Sequence, residues 1–267
     1  MVRSLIHIED PDDPRTAAYR DIRERDLVGR QGRFVAEGKV VLNVLFSRAR
    51  FNAESVLLRD NRVAGMDELL RRVPGDVPVY VASGAVMDRI AGFSIHRGVL
   101  AIGKRGKEET AEALISRLPD RALVVALAGI ANHDNMGAIF RNAAAFGADA
   151  VLMDATSCDP LYRKAIRVSV GAALKVPFTR GGNAEDMITA LETQGFQIIA
   201  LSPGGSQDID TIRTGRRTAL LLGAEGPGLP PALLDRLTSV RIPIREDFDS
   251  LNVAAASAVA LHSLWGR

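Results

Sequence analysis

The chain has 267 residues, of which 47% are hydrophobic and 25% charged, a balance that suits one large globular domain or two ordinary ones with a buried core. A formal charge of +2 excludes a protein that would hold a polyanion by bulk charge alone, and a single cysteine, Cys158, excludes an internal disulfide or a thiolate zinc cluster. No apolar run reaches the roughly 20 residues of a membrane helix, and Met1–Asp10 turns acidic too early for a signal peptide, so a cytoplasmic location is expected.

Asp10-Pro11-Asp12-Asp13-Pro14 reads as a turn or lead-in. A charged helix is expected over Ala17–Val28. Gln31–Gly38 reads as a short strand ending in a turn. Lys39–Ser47 has helical apolar spacing at Val40, Val41, Val44 and Leu45. A strand at Ser55–Leu58, a helix at Met66–Val73 and a strand at Val77–Val81 follow. Ser83 is placed to cap a helix over Gly84–Ile90, and Gly98–Gly103 is a further strand. This makes a small α/β domain over residues 1–105. The polar run Lys104–Thr110 marks the boundary, and 106–120 is expected to be a linker with a short helix at Ala111–Leu118.

The remainder, 121–267, alternates again. Ala122–Ala128 is a continuous apolar run, as in a strand covered on both faces. A helix over Asn135–Phe146 stops at Gly147. A strand at Ala150–Met153 and a helix over Pro160–Leu174 with basic residues Arg163, Lys164 and Arg167 come next. They are followed by a helix at Ala184–Thr193, strands at Phe196–Leu201 and Thr218–Leu222, a helix at Pro230–Leu237, a strand at Ser239–Ile242 and a closing helix over Asn252–Leu264. Such alternation implies a mostly parallel sheet with helices on both faces.

Three segments of this half end strands or start helices, where open α/β sheets place ligands. The first is Ala131-Asn132-His133-Asp134-Asn135-Met136-Gly137-Ala138-Ile139-Phe140-Arg141-Asn142-Ala143-Ala144-Ala145-Phe146-Gly147. The second is Leu222-Gly223-Ala224-Glu225-Gly226-Pro227-Gly228-Leu229. The third is Ile242-Pro243-Ile244 with Asp249-Ser250-Leu251-Asn252-Val253. Asn135 and Asn252 are each placed to cap a helix as well as to act in a site. Arg141 is either a surface arginine or a fork-shaped donor to phosphate or ribose oxygens. Glu225 is an exposed turn acid or a carboxylate held by its glycines. Ile242 and Leu251 suit core packing and a pocket wall alike. The four histidines show no metal-ligand spacing, and Ser202-Pro203-Gly204-Gly205-Ser206 lacks the lysine of a phosphate loop. No glycine fingerprint of a nicotinamide cofactor follows the strand at 122–128.

In order and character the three segments resemble the motifs of the SpoU (TrmH-type) RNA ribose 2′-O-methyltransferases of the SPOUT superfamily. More weakly, Phe34-Val35-Ala36-Glu37-Gly38 and His96-Arg97-Gly98-Val99-Leu100-Ala101 resemble the family's ribosomal-protein-like RNA-binding domain. The resemblance implies a SPOUT-type α/β domain with a deep trefoil knot over 121–267, and a homodimer through that domain. It implies S-adenosylmethionine as cofactor, no metal, and structured RNA as substrate, ribosomal slightly ahead of transfer RNA, with neither DNA nor membrane as partner. By residue match, Asn135, Arg141, Glu225, Ser250 and Asn252 form the active site, and Gly223, Ile242 and Leu251 line the cofactor pocket. The acidic Glu246-Asp247-Phe248-Asp249 departs from the expected pattern and points toward solvent or the cofactor side. Arg20, Arg33 and Arg97 are the expected RNA contacts of the first domain. Two alternatives stay open: a catalytically silent RNA-binding or assembly protein, and a methyltransferase acting on an RNA base.

Overall fold

A computed structural model describes residues 4–20, 27–29, 31–47 and 49–265. The chain divides into two compact units. One comprises residues 1–107 and 161–175, the other 108–160 and 176–267.

The first unit is built on a five-stranded mixed sheet of β1 (Ile6–Ile8), β2 (Arg33–Glu37), β3 (Asn52–Arg59), β4 (Val79–Ala82) and β5 (Val99–Lys104), in the order β1-β4-β3-β5-β2. The pairs β1/β4 and β3/β4 are parallel, and β5 runs antiparallel to both β3 and β2. Val35, Leu57, Leu100 and Ile102 project from the sheet onto Tyr19, Met87, Ile90 and Ile95. Buried Tyr19 shares a hydrogen bond of 2.8 Å with the Ser55 hydroxyl, so its polar tip is satisfied inside the core. Ser83 accepts from Val86 N at 3.3 Å and starts the helix Gly84–Ala91. Of the helix expected over Ala17–Val28, residues 21–26 lie outside the described residues. Its start is instead a 3₁₀ turn, Pro14–Tyr19, closed by extended backbone at Arg20. The cause is local: Asp13 accepts from Arg15 N and Pro14 fixes the first position.

The second unit carries a seven-stranded sheet. Its strands are β6 (Ala122–Leu127), β7 (Ala150–Met153), β8 (Phe178–Arg180), β9 (Gln197–Leu201), β10 (Gln207–Asp208), β11 (Arg217–Leu222) and β12 (Thr238–Arg241). All pairs are parallel and the order is β10-β12-β9-β11-β6-β7-β8. Residues alternate between faces along a strand. Val124, Ala126, Ala219 and Leu221 pack with Ile188, Leu191 and Ile198 in one core layer. Val125, Leu127, Leu220 and Leu222 are buried on the other face. The helices His133–Ala145 and Val253–Leu264 pack together, and the latter also contacts β11. Strands β8 and β10 were not expected; at three and two residues they are too short to give a periodic signal.

Two expectations about organisation are corrected. Residues 106–120 are not a free linker: Leu114 and Ile115 of the helix Ala111–Ser116 are fully buried in the core of the second unit. The helix expected over 160–174 is broken into Arg163–Val168 and Ala172–Lys175, because Val170 (φ 55°) and Gly171 (φ 85°) are left-handed. This segment folds with the first unit. Gly171 permits it: a Cβ there would stand 3.1 Å from the Val44 Cβ of the helix Lys39–Leu45.

Candidate active site

Three strands of the second unit, β9, β11 and β12, end side by side. Their carboxyl ends and the loops that leave them enclose a cavity of about 360 Å³. Leu201 and Ser202 come from the end of β9, Leu222 and Gly223 from β11, Ile242 and Ile244 from beyond β12, and Ser250, Leu251, Asn252 and Ala256 from the start of the last helix. A site beyond the carboxyl ends of parallel strands is where the alternating fold leaves loops free to shape a pocket.

The glycines of the second segment make the pocket wall. A Cβ on Gly223 would lie 2.6 Å from Gly228 C and Leu229 N, both backbone, so the loop can fold back on itself only with glycine there. The return is pinned by a bridge between Ala224 and Gly228, with Gly228 N donating to Ala224 O at 3.0 Å. Gly226 and Gly228 turn the loop with φ of 84° and 68°. Glu225 is carried at its tip and is exposed.

The three segments meet through side-chain amides. Asn135 Nδ2 donates to Glu225 Oε1. Asn252 Nδ2 donates to Asn135 Oδ1 at 3.1 Å and to Glu225 Oε1 at 3.3 Å. Asn252 Oδ1 meanwhile accepts from Ala254 N (2.9 Å) and Ala255 N (3.3 Å), the cap of the last helix. Asn252 thus does both things read from the sequence: it caps the helix and it reaches the carboxylate. Asn135 does not cap its helix. That position is taken by Asn132, whose Oδ1 accepts from Asp134 N and Asn135 N, and Asn135 is turned inward and buried.

Gly223, Ile242, Ser250 and Leu251 all line the cavity, with Asn252 and Glu225 at the same wall. Arg141 is apart from this cluster. It is exposed and forms no hydrogen bond or ion pair with the described residues. Helical geometry explains the separation: six residues from Asn135 is about 9 Å along the axis and about 240° around it.

Further residues support the cluster. Asp154, just after β7, is buried and accepts from Gly129 N (3.1 Å), Ser157 N (2.8 Å), Ser157 Oγ (2.7 Å) and Thr156 Oγ1 (2.7 Å). Burial alone would raise its pKa, but the hydrogen bonds from Ser157, Thr156 and Gly129 outweigh this and hold the carboxyl below its ordinary value. Ser157 Oγ also accepts from Ile130 N at 3.1 Å. Asp154 therefore fixes the loop between β6 and Asn132. Gly129 in that loop faces Ala224, since a Cβ on it would stand 3.0 Å from the Ala224 Cβ. Asn142 ties the two packed helices, donating to Ala254 O and Ser257 Oγ, each at 2.9 Å. Asp154 has a local signal in Thr156 and Ser157, two and three residues on, which donate to it, whereas its partner Gly129 and the Ala254 and Ser257 partners of Asn142 are remote in sequence. The Cys158 thiol is pushed up to about 12 by burial, with Asp159 adding to it, so it is inert at neutral pH.

The fold and cavity define a parallel-sheet α/β domain with a small-molecule pocket of ordinary ligand size. A SpoU rRNA methylase family model matches residues 122–262. An uncharacterised tRNA/rRNA methyltransferase of Mycobacterium bovis is 38% identical over 263 residues, covering 95% of this chain and 89% of its own length. Among solved structures, an AdoMet-bound rRNA methyltransferase from Sinorhizobium meliloti superposes with a TM-score of 0.80 at 25% identity over 97% of both chains. A SpoU methyltransferase of Streptomyces viridochromogenes, at 20% identity and a TM-score of 0.75, shares the fold over 94% of this chain and 96% of its own. The chain belongs to the SpoU rRNA methylase family, and with it to the RNA methyltransferases.

Proposed function

We propose that the protein transfers a methyl group from S-adenosylmethionine to a ribose 2′-hydroxyl of a structured RNA, ribosomal slightly ahead of transfer RNA. The observation that carries this reading is the convergence of Asn135, Glu225 and Asn252, from three separated segments, beside the glycine-walled cavity. The cavity suits the cofactor in size and chemistry. Its volume of about 360 Å³ falls in the range of small-molecule sites, and its wall offers backbone groups of Gly223 and apolar faces of Ile242 and Leu251. When bound, S-adenosylmethionine supplies an electrophilic methyl on sulfur.

The chain's own residues would align the reactants. Asn135 and Asn252 hold Glu225 in one orientation, and within this cluster only that carboxylate can take a proton from a hydroxyl. A guanidinium is a donor and not a proton acceptor, so the work of Arg141 is to orient the hydroxyl and a neighbouring phosphate through its fork of donors. Ser250 adds a hydroxyl at the cavity wall. Arg141 forms no hydrogen bond or ion pair with Glu225 on its own chain, and a homodimer in which a second copy completes the site is part of the proposal. In the second unit, the exposed large apolar side chains among the described residues are Ile244, Phe248, Leu251, Val259 and Trp265, all near the C-terminal end and suited to such an interface. A trefoil knot is part of the proposal. Its support is membership of the SpoU family. The first unit would grip the RNA, in the cytoplasm.

The test is direct. The protein is incubated with total RNA and methyl-labelled S-adenosylmethionine, and the RNA is digested to nucleosides. The expected product is a labelled 2′-O-methyl nucleoside. Label on a base, or none, would overturn the assignment.

A further inference from the structure

The first unit presents a cationic surface that the methyl-transfer site does not use. The helix Arg163–Val168 packs at the end of β2, where Glu37 is only 5% exposed. Arg163 Nε donates to Glu37 Oε2 at 2.9 Å, its second nitrogen lies 2.8 Å from the same oxygen, and an Arg167 nitrogen lies 4.0 Å away. One buried carboxylate thus meets two guanidiniums, and a positive charge is left over. Arg97 adds another. A Cβ on Gly38 would stand 2.9 Å from Arg97 Cδ and Nη1, so Arg97 lies across the glycine next to Glu37. Gly38 has φ of 95°, and a larger residue there would be strained as well as in the way. Arg97 is exposed and makes no hydrogen bond or ion pair with the described residues.

An aromatic ring completes the surface. Phe93 is 39% exposed, and the Arg163 guanidinium lies 4.5 Å from its centroid. The chain of contacts therefore runs Phe93, Arg163, Glu37, Gly38, Arg97, with Arg167 at its side. The other expected RNA contacts are differently placed. Arg20 is tied to Asp13 O (2.7 Å) and Asp12 (3.6 Å). Arg33 is paired with Glu54 at 2.8 Å and stands at the opposite end of β2, about 13 Å from Glu37.

We infer that this surface binds unpaired RNA, with a splayed base stacked on Phe93 and flanking phosphates on Arg97 and Arg167. Bases of a duplex are stacked on each other and out of reach of a side-chain ring, whereas loops and bulges offer bases that an exposed aromatic beside arginines can take. The inference rests on the RNA reading given above and specifies which part of the RNA the first unit holds.

The experiment uses the full chain and two end-labelled RNAs, a hairpin with an unpaired loop and a blunt duplex of equal length, with binding followed by fluorescence anisotropy. Phe93→Ala should weaken hairpin binding roughly 10-fold to 100-fold and leave duplex binding unchanged. Phe93→Trp should restore it. Arg97→Ala with Arg167→Ala should weaken hairpin binding and lower the salt dependence of log Kd by up to about 1.4, two phosphates' worth for a single strand. S-adenosylmethionine binding by calorimetry should not change in any of these variants. Hairpin affinity of Phe93→Ala equal to the parent, or an equal loss on both RNAs, would overturn the inference. Labelled RNA from the parent protein tests the methyl-transfer reading separately. If that reading fails while Phe93→Ala still loses the hairpin, the binding surface stands alone.

Discussion

Asn252 has two roles in one side chain, and a pair of substitutions separates them. Its Oδ1 caps the last helix and its Nδ2 holds Glu225 and Asn135. Asn252→Ala removes both. Loss of the cap costs about 1 kcal/mol, and the two long, part-exposed amide contacts add at most about 1 kcal/mol more. At about 2–4 °C per kcal/mol for a domain of this size, Tm should fall by about 2–8 °C. Asn252→Asp keeps the cap, since aspartate is an equally good cap residue. It replaces the donor facing Glu225 by a second carboxylate, and two such charges repel by about 1 kcal/mol even in water. The Glu225 side chain should turn away. A misplacement of about 1 Å in an aligned site costs on the order of 100-fold in rate. The expected outcome is therefore that Asn252→Asp keeps the roughly 1 kcal/mol of the cap that Asn252→Ala loses, with kcat for methyl transfer down about 100-fold in both variants. Melting by calorimetry and single-turnover methyl transfer measure the two quantities. Parental turnover in Asn252→Asp would refute the claim that the amide network positions Glu225.

Other outcomes follow from the same geometry. Arg141→Ala should change stability by less than about 0.5 kcal/mol, since the side chain is exposed and unpaired among the described residues. It should leave the calorimetric Kd for S-adenosylmethionine unchanged and reduce methyl transfer by about 100-fold or more, as loss of a transition-state donor does. Gly223→Ala places a methyl 2.6 Å from backbone atoms of Gly228 and Leu229, and a destabilisation of about 1–3 kcal/mol with weakened cofactor binding is expected in melting and titration. Asp154→Asn should cost about 1–3 kcal/mol near neutrality. The Asp154 carboxyl is held below its ordinary value, so its contribution is full above the unfolded value of about 3.9 and is lost as pH falls through the folded one. The Tm gap between parent and Asp154→Asn should consequently be wide at pH 7 and narrow in strong acid; a gap that does not shrink would contradict this sign.

The sequence by itself determined most of the elements of this protein. Apolar stretches such as Ala122–Leu127 and the Ala219-Leu220-Leu221-Leu222 of the strand expected over Thr218–Leu222, almost wholly buried, announce strands of a covered parallel sheet. Gly223, Glu225, Ser250, Leu251 and Asn252 are singled out through the resemblance of their segments to a known family; locally, only the loop glycines and the cap residue Asn252 are legible. What it left undetermined depends on distant partners. A hydrophobic run does not say which strand it pairs with, so the seating of β11 between β6 and β9 belongs to the tertiary structure. Asn135 was legible as a polar residue near a helix start, yet whether it caps or turns inward depended on Asn132 taking the cap and on Glu225, 90 residues away, meeting its amide. The basic helix of 163–168 read as part of the second half. Only a left-handed break at Val170 and Gly171, and packing against Val44 and Glu37, assign it to the first unit. Local propensity acts within a turn or two, whereas buried charge pairs and interstrand registers are decided when remote segments exclude water together, and the short-range pattern carries no record of that.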